Sequence, residues 1–141
     1  MLRRLARIAM YVVLSTGFGC SGVALTADDR QSVETSTREW VIEYWTEPSP
    51  IPLNQMFALY AEVYERDGIT PADGCDLAIF ATMPAHGHGM TTDPSITAYS
   101  GFSFEADGML FHMEEQWEIQ FWVTDDWMQD VAVVEIDCCD A

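Results

Sequence analysis

Trp117-Glu118-Ile119-Gln120-Phe121-Trp122-Val123-Thr124 sets Trp117, Ile119, Phe121 and Val123 at alternate positions. Successive side chains of a β-strand point to opposite faces, so these four share one face that must be buried.

The same period recurs on both sides. Trp40, Ile42 and Tyr44 alternate with Val41, Glu43 and Trp45 until Pro48-Ser49-Pro50-Ile51-Pro52 breaks the run. Phe57, Leu59, Ala61 and Val63 form a second apolar face, closed by the turn residues Arg66-Asp67-Gly68. Cys75, Leu77, Ile79, Ala81 and Met83 form a third, ended by Pro84, which cannot donate to a sheet ladder. Short runs follow at 102–105, 109–113 and 131–136, with Asp107-Gly108 between the first two as a hairpin signal. Counting 117–124, the total is seven strands and no helical stretch. The chain of 141 residues has room for one domain, and its 49% hydrophobic content can fill a core. The expected fold is a seven-stranded antiparallel immunoglobulin-like β-sandwich over residues 39–141.

The N-terminus carries export chemistry. Arg3, Arg4 and Arg7 precede an apolar run from Ile8 to Leu14 and then small residues, the order of a secretory signal over 1–19. Gly17-Phe18-Gly19-Cys20 is a lipobox-like junction, giving two readings: lipidation of Cys20, or ordinary cleavage near Ala24 or Ala27. Residues 20–38 are polar, lack an apolar period and read as a flexible tether. The expected location is extracytoplasmic, either periplasmic or anchored by lipid, with no other membrane contact.

Removal of 1–19 leaves Arg30, Arg38 and Arg66 against 23 acidic residues, a formal charge of −20, and the chain has no lysine. Such a field repels nucleic acid and anionic headgroups and concentrates cations. In an oxidising compartment one bridge from Cys75 to Cys138 or Cys139 is expected, leaving one thiol unpaired. The adjacent Cys138-Cys139 pair has a competing use as soft-metal ligands.

All three histidines, His86, His88 and His112, lie in two short segments that also hold methionines. In Thr82-Met83-Pro84-Ala85-His86-Gly87-His88-Gly89-Met90 the glycines let the backbone bend, so that His86, His88 and Met90 can converge. Imidazole with thioether favours copper, especially Cu(I), over structural zinc or calcium. Met109-Leu110-Phe111-His112-Met113 adds His112 and Met113, although alternation sends Met109, Phe111 and Met113 to one face and His112 to the other. The competing reading makes Met83, Met109 and Met113 core filler. The Ser and Thr residues have no arrangement that singles one out as a nucleophile, and Glu114, Glu115 and Glu118 read as solvated acids, so a non-enzyme is expected.

At these residues the chain resembles the YtkA-like family of small extracytoplasmic β-sandwich proteins. Their loop of the form Met-Pro-x-His-x-His-Gly-Met is matched from Met83 to Met90, and a later Phe-His-Met followed by Trp is matched at Phe111-His112-Met113 and Trp117. The likeness spans about residues 39–136. Some members resemble parts of copper-handling and oxidase-assembly systems, which implies copper binding at His86, His88, Met90 and His112. Where the resemblance leads one to expect a glycine after Phe-His-Met, this chain has Glu114-Glu115-Gln116. The other reading, from a different class, is an envelope interaction module using Trp45, Trp122 and Trp127 against a protein partner.

Overall fold

A computed structural model of the protein describes residues 30–139. The signal segment, Cys20 and most of the expected tether lie outside them. Nine strands run in chain order: β1 Gln31–Glu34, β2 Trp40–Glu47, β3 Met56–Glu65, β4 Asp76–Met83, β5 His88–Gly89, β6 Ser95–Ala98, β7 Ser103–Leu110, β8 Glu115–Thr124 and β9 Gln129–Cys138. They form two antiparallel sheets, ordered β1-β2-β3-β7-β6 and β5-β4-β8-β9.

The sheets close on each other through the faces that alternation selects. Trp40, Ile42 and Tyr44 of β2, Leu59, Ala61 and Val63 of β3, and Phe104 and Ala106 of β7 meet Leu77–Met83 alternates of β4 and Trp117, Ile119, Phe121 and Val123 of β8. Tyr44 and Phe121 touch across the gap, ring centroids 5.3 Å apart. Burial of these side chains drives the collapse, at about 1.5–3 kcal/mol for each large one.

Nine strands replace the expected seven for three reasons. The expected tether contains β1, whose Val33 pairs with Ile42 and which is held by a turn in which Thr35 N–H donates to Trp40 O at 3.0 Å. A strand of four mostly exposed residues carries no apolar period, so only its partner defines it. Strands β5 and β6 are likewise short and mostly exposed edge pieces, of two and four residues. Conversely, Asp107-Gly108 is not a hairpin. Both residues lie inside β7, where the register to β3 slips between Phe57 and Leu59 and Gly108 takes φ 86. The glycine forms a bulge. One extra residue shifts the alternation, which buries Met109 and Phe111 instead of Gly108 and Leu110.

The expected bridge from Cys75 to Cys138 is not formed: Cys138 is bonded to Cys139, and Cys75 is a free, buried thiol. Register explains why. Cys75 adjoins Asp76, which pairs with Thr124, whereas Cys138 pairs with Glu115 at the other end of β8. Nine residue steps of strand separate them by about 30 Å, against the roughly 4–7 Å between Cα atoms that a disulfide spans. Burial pushes the Cys75 thiol up to about 11, and its sulfur donates to Gly101 O at 3.6 Å.

Candidate metal centre

One end of the sandwich gathers the C-termini of β4, β7 and β9 and the N-terminus of β8, and all three histidines lie there. His86 sits in the turn after β4, where His86 N–H and Gly87 N–H both donate to Met83 O, at 3.1 and 2.9 Å. Gly87 takes φ 67, which closes this turn and sends the chain back as β5. His88 then pairs with Met83 and therefore shares its inward-facing side, at the open edge of the four-stranded sheet. His112 arrives from the other sheet, one residue beyond the buried Phe111.

The three rings form a row. His86 and His88 have centroids 5.7 Å apart, and His88 stacks on His112 at 5.5 Å and 30°. Trp117 and His112 meet in a T-shaped arrangement, centroids 5.5 Å apart, while Trp117 stacks on Phe111 at 4.4 Å. Its indole N–H donates to Met113 O at 3.0 Å, which fixes the β7–β8 loop that carries His112. Beside His88 lies an open hollow lined by Met83, Pro84, Gly87 and Glu118.

Hydrogen bonding differs from ring to ring. His86 Nε2 donates to Glu115 Oε2 at 2.8 Å, and His88 Nδ1 donates to Gly89 O at 3.1 Å. His112 Nδ1 is shielded from solvent with no partner; Thr92 Oγ1 is the other such side-chain atom among the described residues. A buried polar atom without a partner costs about 1–3 kcal/mol, so one in a ring row requires an explanation. Glu115, the partner of His86, takes φ 99, a conformation that glycine accepts and other residues resist. It stands in the segment where the likeness drawn from the sequence calls for a glycine.

The methionines divide. Met83 and Met109 are fully buried core residues. Met113 packs against the core, and it is its carbonyl that meets Trp117. Met90 also packs against the core, and its thioether accepts the Leu110 N–H at 3.4 Å. Thus His86, His88 and His112 come together as a row, with Met90 attached to the adjoining end of β7. Among the described residues no three His, Cys, Asp or Glu side chains are gathered closely enough to hold an ion as they stand. Sequence reasoning passed over Glu115 as a partner of His86; the missing glycine was its signal. Compared with known proteins, the chain matches no family model, no curated protein and no solved structure.

Proposed function

We propose that the protein holds or relays a copper ion in the cell envelope, using His86, His88 and His112 as ligands with Met90 as the adjacent soft donor. The observation that carries this reading is the polarity of the three rings. Donation from His86 Nε2 to Glu115 and from His88 Nδ1 to Gly89 O leaves the lone pairs on His86 Nδ1 and His88 Nε2. A carboxylate or a carbonyl on the far nitrogen is the arrangement that orients metal-ligating histidines. His112 Nδ1, shielded and unpartnered, is the third open position.

Two imidazoles that share an ion at metal–nitrogen distances near 2.0–2.1 Å have centroids no more than about 6 Å apart, and both spacings in the row fall inside that limit. Ligation by all three needs rotation of His86 and His88, both exposed and both flanked by glycine. Copper is favoured over other ions that imidazole suits because Met90 adds a thioether. The acidic surface would raise the local cation concentration. The reading is non-catalytic. Export, lipidation of Cys20, kinship with the YtkA-like family and an immunoglobulin-like connectivity of the sheets belong to the same proposal. In support of the last, the chain changes sheet between β3 and β4, β5 and β6, and β7 and β8.

The test is a Cu(I) titration against a competing chelator, with Zn(II) in parallel, on the wild type and on His86→Ala/His88→Ala. We expect one tight copper site, weakened on the order of a hundredfold or more in the double variant. Equal affinity in the two proteins, or a site that takes zinc in preference to copper, overturns the reading.

A second reading, a protein-interaction module, has its own observation. Trp127 is 91% exposed on the β8–β9 turn, and Phe80 and Val133 are exposed on the outer face of the four-stranded sheet. Trp45 does not contribute, since it stacks on Tyr60 and is covered by Arg30 at 3.9 Å. Trp122 is partly buried, its N–H donating to Gln120 Oε1. Co-purification of an envelope protein that survives a strong copper chelator, and is lost in Trp127→Ala, would favour this alternative.

A further inference from the structure

A disulfide stabilises a fold mainly by closing a loop in the unfolded chain, and the effect grows with loop length. The Cys138–Cys139 bridge has a sequence separation of one and therefore closes no loop. It ties no element to another. Opening it leaves every strand pairing of β9 intact, since the ladder from Glu115↔Cys138 to Thr124↔Gln129 is held by backbone hydrogen bonds and by the inward faces. The pair is thus free to change oxidation state without unfolding the domain.

Its position is also specific. Cys138 lies directly across from Glu115, whose carboxylate receives the His86 N–H, so the cysteine pair is one strand away from the histidine row. Both cysteines line a cavity of about 240 Å³ together with Tyr44, Trp45, Pro50 and Ile51. The cavity gives a small reductant or an ion a way to the buried Cys138 and the partly buried Cys139.

We propose that Cys138 and Cys139 form a redox-gated site for a soft metal ion, closed as the disulfide and open as the dithiol. Opening is thiol–disulfide exchange with an external dithiol. Its thiolate attacks one sulfur of the pair, the released thiolate takes a proton, and the second thiol of the reagent resolves the mixed disulfide. The reagent loses two electrons and leaves as its own disulfide; Cys138 and Cys139 gain two electrons and two protons. A divalent soft ion then binds the two sulfurs and displaces two protons. The site stands on the cysteine pair and does not require that the histidines bind copper.

The experiment uses the full chain carrying Cys20→Ser and Cys75→Ala, so that Cys138 and Cys139 are its only thiols, with cadmium as the probe. After reduction by a dithiol and its removal without air, one cadmium per chain should bind with the ultraviolet absorption of cadmium thiolate. The oxidised protein and the Cys138→Ser/Cys139→Ser variant should show none. The urea midpoints of the oxidised and reduced proteins should coincide. Absence of the absorption after reduction, its persistence in the double serine variant, or a large fall in the midpoint on reduction each overturns the proposal, the last by making the bridge a structural tie. Adding His86→Ala/His88→Ala in the same background separates the two readings: the cadmium signal should survive there, whatever the copper titration gives.

Discussion

The two ends of the sandwich are built differently. At the end that holds Asp67, Asp125 and Asp130, each loop closes on its own hydrogen bonds. Asp67 accepts from Ile69 N–H, Thr70 N–H and the Thr70 hydroxyl, and Asp125 Oδ1 accepts from Trp127 N–H and Met128 N–H. The buried Asp130 carboxylate accepts from Thr37 N–H at 2.9 Å, the Thr37 hydroxyl at 2.6 Å and Val131 N–H at 2.9 Å, locking the β1–β2 turn onto β9. At the opposite end, His112 Nδ1 has no partner, Glu115 occupies a disfavoured φ and a disulfide joins adjacent residues. One end spends its polar groups on the fold. The other leaves His112 Nδ1 without a partner, and it is there that the copper site is proposed.

The largest effect should come from the side chain that links the core to the open end. Trp117 is fully buried, stacks on Phe111 and forms the wall beside His112. Trp117→Ala should lower unfolding stability by about 3–5 kcal/mol and weaken copper binding as well, measured by urea unfolding and chelator competition. A loss of copper affinity with stability retained would mean that the row is not built on the core.

The converse belongs to the other end. Asp130→Ala should cost about 1–3 kcal/mol, the range for charged hydrogen bonds lost at a buried acceptor, and leave copper affinity unchanged. Burial alone would push the Asp130 carboxyl up, but the donors from Thr37, Thr35 and Val131 outweigh it and hold it below the ordinary value. A carboxyl lowered in the folded state adds stability above its unfolded value, near 3.9, and that contribution disappears as pH falls through the folded value. The wild type should therefore lose stability on acidification below about pH 4 more steeply than Asp130→Ala. Parallel acid curves for the two proteins would remove Asp130 from its role as the lock.

This contrast also marks how far the sequence could be read. The inward faces of β2, β3, β4 and β8 were legible because two-residue periodicity is a local property, and Ile119, Phe121 and Val123 are fully buried as that period requires. Strands β1, β5 and β6 were not, because they are two to four residues long, mostly exposed, and take their identity from neighbours. Asp107-Gly108 was misread for a related reason: a glycine at positive φ serves a bulge as well as a hairpin, and only register decides. His86, His88 and Met90 were visible as a motif. That His112 joins the histidines from the other sheet, and that Cys75 stands about 30 Å of strand from Cys138, depend on pairings no local pattern carries.

The smallest expected effect is the most discriminating, because its two readouts should move in opposite directions. Glu115 holds φ 99 and offers its carboxylate to His86. A non-glycine residue at positive φ costs roughly 1–2 kcal/mol, whereas an exposed imidazole–carboxylate hydrogen bond returns no more than about 1 kcal/mol. Glu115→Gly removes the strain and the pair together, and glycine's larger unfolded-state entropy takes back part of the gain. Stability should therefore rise, by up to about 1 kcal/mol, while copper affinity falls severalfold because His86 loses the carboxylate that sets its ring. A rise in stability with affinity unchanged would reduce Glu115 to an accident of the turn. A fall in both would place it among the residues that hold the fold, and the difference between the two ends would then disappear at that position.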